Sequence, residues 1–381
     1  IAMGVSGIIL SGGFVHDVFI QLGEAIIHSR SGHIQVANAG FFAQGSRSPT
    51  QYVIRDPEAI RSTIAARPEV IDTLGRLAFS GLLNNGRTDL SVIGEGVEPD
   101  GETRLGTFLQ LTAGRQLAQR DRYGILLGEG VAHSLKLAPG NRVTLVANTI
   151  EGAANVLDFE VVGVFRTFSK DYDARAVRIP LSAAQELVGA TGVNTLVVSL
   201  RQTGDTDRVA ASLREQFGAR GIEVITWKEL DDFYEKTVQL YDTQFGVLQS
   251  IILIMVLLSV ANTVNTGVFE RVGEFGTMRA LGNRGPHVVG LVLTESFMLG
   301  ALGSVIGVAV GVLLALAISA DGIPMPPPPN ANLGYHALIR IVPQVLAPAF
   351  TVGIGAAVVA ALIPAFRIAR MPVVTALRAN V

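Results

Sequence analysis

The chain has 381 residues, 49% of them hydrophobic and 16% charged, against about 25% charged in a typical soluble domain, and its mean hydropathy is +0.43. A formal net charge of −2 leaves no electrostatic footprint for nucleic acid, and the lack of cysteine excludes disulfides and thiolate metal sites. The six histidines include no HxxxH or HExxH spacing, so the sequence offers no metal site and no catalytic residues.

Apolar content is uneven. Residues 28–244 hold most of the charges, whereas 246–320 and 341–366 carry almost none. Residues 1–27 begin inside an apolar stretch with no basic flank, which argues against a signal peptide. They read as the outer half of a first transmembrane helix that starts upstream of residue 1, leaves the membrane near His16–Asp17 and continues as an amphipathic stalk.

At Ser31-Gly32-His33-Ile34-Gln35-Val36 the period switches to that of a strand. Pro57–Arg67 then reads as a helix with Asp56 as its N-cap. Val70–Ser80 and Leu90–Glu95 read as strands joined through Asn84-Asn85-Gly86. Gly128–Leu137 is a short helix stopped by Ala138-Pro139-Gly140-Asn141, and Arg142–Ala147 and Asp158–Phe165 are strands about a hairpin loop, Asn148–Val156. The helices Leu181–Val188 and Thr206–Gly218 alternate with the strands Thr195–Leu200 and Ile222–Thr226, the last three segments forming a β-α-β unit. Lys228–Ser250 reads as an amphipathic helix rising into the next apolar run and pairing with the first stalk.

Gly246–Val268, Ser296–Ala320 and Ile341–Phe366 contain no charged residue, and each is long enough to cross a bilayer core of about 30 Å as a helix. Arg271, Arg279 and Arg284 lie between the first two of these runs, and Arg367, Arg370 and Arg378 follow the third. The intervening loop has only Arg340. The positive-inside rule therefore puts 269–290 and the C-terminus in the cytoplasm, and 321–340 and the large module outside. Four spans are too few to enclose a wide aqueous pathway, so a second permease copy or a paralogue is expected.

Between the second and third spans, Phe269, Val272, Phe275, Met278 and Leu281 recur every three residues, with Gly282 available as a helix stop. These positions predict an apolar stripe on a short surface helix, flanked by Glu270, Arg271, Glu274 and Arg279; a plain interfacial connector is the alternative. Gly300, Gly303, Gly307 and Gly311 form a small-residue seam for close helix packing. Asn262, Thr263, Asn265 and Thr266 put polar groups in the second span, to bond either across a dimer or within the bundle. Glu295 opens the third span, where it either contacts the bundle or the short helix, or snorkels to water. Met325–Pro329 has a polyproline II tendency.

Asn262-Thr263, Phe269-Glu270-Arg271, Glu274-Phe275-Gly276 and Met278-Arg279-Ala280-Leu281-Gly282 together resemble the signature of the MacB/FtsX-type ABC permeases, which include the lipoprotein-releasing permeases LolC and LolE. The likeness extends to Ser31–Val36, to Leu127-Gly128-Glu129-Gly130-Val131-Ala132 with Leu137–Asn141, and to Thr294-Glu295. The resemblance implies that Glu270–Gly282 is a coupling helix seated in a groove of a separate cytosolic ABC ATPase dimer. The chain has no GxxxxGK[ST], so ATP and Mg would be bound by that partner and no cofactor by this chain.

The expected fold is an α-helical membrane protein with four transmembrane helices, the first one incomplete in this chain, plus a large extracytoplasmic α+β module of two subdomains. Its divisions are 1–27 (first span and stalk), 28–227 (module), 228–268 (stalk and second span), 269–290 (coupling segment), 291–320 (third span), 321–340 (external loop), 341–366 (fourth span) and 367–381 (tail). Within the module, an α/β subdomain of about 31–100 and 177–227 would flank a β-rich insertion of about 101–176. The expected role is a permease subunit in a bacterial inner membrane, with its module in the periplasm. It would release or export lipoproteins or other amphipathic substrates, in contact with membrane lipids and with a periplasmic protein or lipoprotein. An FtsX-like signal transmitter acting on a cell-wall hydrolase, or a MacB-like peptide or drug exporter, are the alternatives.

Overall fold

The structure, a computed structural model, describes residues 1–45, 49–105, 109–167, 169–230, 232–327 and 334–378. They form two compact units, one of Leu22–Glu235 with Pro326–Tyr335, the other of Ile1–Gln21, Lys236–Met325 and His336–Val381. Helix α1 (Ala2–Ile26) opens the chain and ends in a π turn, Ile27–Ser31.

The first unit is built on a ten-stranded sheet. Strand β1 (Ile34–Asn38) leads through helix α2 (Pro57–Ala65) to β2 (Val70–Asn84), and the hairpin at Gly86 returns as β3 (Asp89–Val97). That turn forms because Gly86 takes φ +86° and the Asn85 Oδ1 accepts the Arg87 and Thr88 amides at 2.9 Å each. Helix α3 (Pro99–Leu105) and strands β4 (Gln110–Gly114) and β5 (Gly124–Gly128) follow, then helix α4 (Glu129–Leu135). The hairpin of β6 (Arg142–Asn148) and β7 (Ala154–Arg166) precedes β8 (Ala176–Pro180), helix α5 (Leu181–Val188), β9 (Thr195–Leu200), helix α6 (Thr206–Phe217) and β10 (Ile222–Thr226).

Strand order exposes two folding principles. One end of the sheet runs β10-β1-β9-β2 with every neighbour antiparallel. This is the interleaved pair of split β-α-β units of a ferredoxin-like fold, in which β1-α2-β2 and β9-α6-β10 each skip one strand. The expected β-α-β unit of β9, α6 and β10 is present, and β1 lies between its two strands. Ile60 and Ile64 of α2 and Val209, Leu213 and Phe217 of α6 repeat at four residues, so each helix lays one stripe on Ile34, Val36, Leu196 and Val198.

The other part closes on itself. β2 pairs with β3, β3 with β8, β8 with β5, β5 with β7, β7 with β6, and β6 again with β2. A closed ring leaves no open edge, and its core gathers Leu77, Phe79, Leu127, Leu145, Phe159 and Ile179. The expected borders at 101 and 176 do not mark where the two cores part. β2 is long enough to serve both: Val70 packs in the ferredoxin-like core while Leu77, Phe79 and Leu83 pack in the ring. Two smaller corrections are local. Asp56 makes no capping hydrogen bond to α2, and β7 begins at Ala154, paired with Asn148, so the hairpin loop is shorter than expected.

Where the ring meets α3, two guanidiniums are buried. Arg76 donates from Nε to Glu102 Oε1 at 2.5 Å and from Nη2 to Oε2 at 2.8 Å; Arg178 reaches Glu102 Oε2 and Glu95 Oε2, each at 3.3 Å. Arg178 is 2% exposed. A charge so far from water survives only with such partners.

In the second unit, α1 is joined by α7 (Asp232–Glu270), α8 (Val272–Ala280), α9 (Gly285–Asp321), α10 (Pro343–Arg370) and α11 (Val373–Arg378). Among the described residues, four helical stretches, Ala2–Ser29, Tyr234–Glu270, Gly285–Asp321 and Pro343–Arg370, are long and apolar enough to cross a membrane. The third stretch starts at Gly285, so Glu295 lies inside α9.

Asp17 is buried within the helical unit. Its Oδ1 accepts from Arg340 Nε at 2.7 Å and its Oδ2 from the Leu338 amide at 2.8 Å, while the Arg340 amide donates to Gly13 O. The loop arginine has a structural task, because it neutralises a carboxylate that could not otherwise be enclosed. Met325 ends a short strand, Ile323–Met325, and Pro328 and Pro329 lie outside the described residues.

Candidate functional site

The polypeptide between α7 and α9 is organised by one helix break. α7 ends at Glu270, Arg271 leaves helical geometry at φ −109°, ψ 18°, and α8 begins at Val272. A full Schellman closure ends α8: Gly282 takes φ +98°, its amide donates to Arg279 O at 3.1 Å, and the Asn283 amide donates to Met278 O at 3.1 Å.

The stripe expected from a repeat of three is not continuous. Three residues advance a helix by 300°, so successive positions drift by 60°, and residues twelve apart no longer share a face. Val272 and Phe275 are buried with Val288, Val292, Ala365, Ile368 and Ala376, and Met278 packs at the margin of that cluster. Phe269 and Leu281 point outward, Leu281 with 84% exposure. α8 is therefore clamped by α9, α10 and α11, with only its ends and one side free.

Charge follows the same division. Arg271 donates from Nε to Glu274 Oε2 at 2.9 Å and from Nη1 to both oxygens of Glu295 at 3.0 Å, and its guanidinium lies 5.5 Å from the Phe275 ring centre. The hydrogen bond to Glu274 and the charge of Glu295 hold this guanidinium above its ordinary pKa. Arg279 donates to the backbone oxygen of Met371, tying α8 to the turn before α11. Both arginines are thus engaged within the chain, Arg271 in part with Glu274, while Glu270, Glu274 and Leu281 are exposed.

The remaining expected residues fall into two groups. Gly300, Gly303, Gly307 and Gly311 are contact points. A Cβ on Gly300 would lie 2.7 Å from Ala357 of α10, and one on Gly307 would lie 2.7 Å from Ala2 O of α1. Gly303 and Gly311 face Ile1 and Ser6, and the Ser6 hydroxyl donates to Gly307 O at 2.8 Å. In α7, Thr263 and Thr266 bond the carbonyls of Ser259 and Asn262 in their own helix. Asn262 is exposed and Asn265 half-buried.

Ser31–Val36 gains its physical basis from partners that sequence reading missed. Gly32 adopts φ +63°, turning the chain from the π turn into β1. His33 Nδ1 accepts the Leu200 amide at 3.1 Å, which puts the ring proton on Nε2, and that nitrogen donates to Thr203 Oγ1 at 3.2 Å. Thr203 in turn donates to Glu24 Oε1 at 2.6 Å. Burial, followed by the nearby His28, pushes the His33 pKa down to about 4, so the ring is neutral at neutral pH. Thr203 stands too far along the chain for any local period to reveal it.

Residues 1–216 match the family model of the MacB-like periplasmic core domain, and residues 246–373 that of the FtsX-like permease C-terminal region. Among curated proteins, the chain is similar to an uncharacterized ABC transporter permease of Methanocaldococcus jannaschii, at 25% identity over 54% of this chain and 52% of that protein. It is similar to the macrolide export ATP-binding/permease protein MacB of Marinobacter nauticus, at 28% identity over 45% of this chain and 28% of that one. Similarity to the lipoprotein-releasing system transmembrane protein LolC of Neisseria meningitidis covers 82% of this chain and 75% of that protein, at 22% identity. The chain spans about half or less of the first curated relatives it matches. Among solved structures, the periplasmic region of MacB from Actinobacillus actinomycetemcomitans aligns with 56% of this chain and 95% of its own, at 15% identity and a TM-score of 0.39.

Proposed function

The chain belongs to the MacB/FtsX-type ABC permease superfamily, with a MacB-like periplasmic core domain followed by an FtsX-like permease region, and on that premise we propose that it is the membrane subunit through which a separate cytosolic ATPase drives the periplasmic module. The observation that carries this reading is α8. It is a short helix between two long apolar helices, locked from behind by Phe275 and Val272, with Glu270, Glu274 and Leu281 left outward. A helix held in this way transmits displacement instead of absorbing it, and its exposed side, carrying Glu274 beside Glu270, fits a basic groove. The partner would supply ATP and Mg, and this chain the mechanical link.

We place the protein in the inner membrane, as a dimer with a second copy or a paralogue. Similarity to LolC over most of the chain favours a lipoprotein or another amphipathic molecule as substrate. The MacB-like core over residues 1–216 favours a second reading, export of a macrolide-like or peptide substrate.

The test is co-purification from native membranes in mild detergent, comparing wild type with Glu274→Lys, with bound proteins and lipids identified by mass spectrometry. Recovery of an ATPase with wild type and its loss from the variant is the expected result. An ATPase absent from both, or retained equally by both, would overturn the assignment of α8.

A further inference from the structure

At the end of α10 a groove of about 650 Å³ is lined by Leu362, Ile363, Phe366, Arg367, Arg370 and Met371. Ile363 is 77% exposed and Phe366 50%. Arg367 and Arg370 are both exposed, neither has a carboxylate within ion-pairing distance among the described residues, and no acidic residue lines the groove. The spacing explains the arrangement, because residues three and four apart share a helix face: Ile363 lies one turn before Arg367, and Phe366 one turn before Arg370.

We propose that this groove binds the headgroup of an anionic phospholipid, its phosphate between Arg367 and Arg370 and its first acyl carbons along Ile363, Leu362 and Phe366. The inference rests on the membrane reading above, which sets the apolar end of α10 in the bilayer and its arginines at the cytoplasmic surface. Two unpaired guanidiniums beside an apolar wall match a ligand that is anionic at one end and hydrocarbon at the other. A free phosphate would use only the arginines and leave the apolar wall uncovered. Met371 belongs to the groove and offers its backbone oxygen to Arg279 of α8. An occupied site therefore steadies the turn against which the coupling helix is fastened.

The experiment is native mass spectrometry of the full chain offered phosphatidylglycerol or phosphatidylcholine of identical acyl chains, with flotation on phosphatidylcholine liposomes run in parallel. Wild type should retain phosphatidylglycerol preferentially. The double variant Arg367→Gln/Arg370→Gln should lose that preference by about thirtyfold, from roughly fivefold per arginine. Arg367→Lys/Arg370→Lys, which keeps the charge, should retain most of it and so controls for misfolding. Equal retention of both lipids by wild type, an unchanged preference in the glutamine variant, or displacement of the lipid by millimolar inorganic phosphate would each overturn the site. Flotation of a wild type that shows no lipid preference would sink this inference alone, whereas failure to float would sink the membrane reading and the site together.

Discussion

The two units place most of their charge differently. In the sheet unit, Arg76, Arg178, Glu95 and Glu102 converge where the ring meets α3, so charge is taken inside and neutralised there. In the helical unit the most apolar part of the second stretch is almost wholly unburied, charge gathers at the surface around α8, and Asp17–Arg340 is the pair with an enclosed carboxylate. Each unit is vulnerable in its own place. The sheet unit depends on completed internal partnerships, while the helical unit depends on close helix contacts and keeps most of its ion pairs, such as Arg271 with Glu274 and Glu295, at the surface.

The largest effect should come from breaking the internal charge cluster. Glu102→Ala leaves two buried guanidiniums short of their shared carboxylate and should cost about 3–5 kcal/mol, read by chemical unfolding followed through Trp227, the single tryptophan, which is itself buried. A loss below about 1 kcal/mol would mean that the cluster relaxes into water.

His33 gives the next effect, through pH. Its folded pKa of about 4 lies below the ordinary value of 6.5, so above pH 6.5 both folded and unfolded states hold a neutral ring and nothing changes. As pH falls from 6.5 to 4 only the unfolded chain takes the proton, and stability declines by about 3 kcal/mol. His33→Gln should flatten that part of the pH profile; an unchanged slope would assign it to other groups.

In the helical unit, Gly307→Leu forces α9 away from α1, with an expected cost of about 1–3 kcal/mol measured as detergent-resistant thermal stability. Gly355→Leu meets open space within 4 Å and should cost far less. The smallest effect on stability belongs to Arg271→Gln. Its pairs with Glu274 and Glu295 are solvent-exposed and worth less than about 1 kcal/mol, yet the variant should lower ATPase-coupled activity, separating a positioning role from a structural one.

Local order was legible in the sequence, because a strand or helix announces itself by its own period. Leu181–Val188, Thr195–Leu200 and Ile222–Thr226 occur with the bounds that patterning predicts. Strand order was not legible. Nothing in Ile34–Asn38 says that it will separate β9 from β10, and nothing in Val70–Asn84 says that one strand will serve two cores. Around α8 the residue types were visible but their facing was not. The repeat of three concealed a drift that buries Phe275 and frees Leu281. The pairing of Asp17 with Arg340 was hidden for the same reason as that of Glu24 with Thr203: each pair is joined across the fold, and no local spacing encodes it.

In the proposed role, the exposed side of α8 meets a cytosolic ATPase while Val272 and Phe275 seal its other side. The chain has no cysteine, so Leu281→Cys introduces a unique thiol at an exposed position and Phe275→Cys a unique thiol at a buried one. Thiol crosslinking in native membranes should join Leu281→Cys to an ATPase and leave Phe275→Cys unreacted. Crosslinking from neither position, or equally from both, would contradict the account.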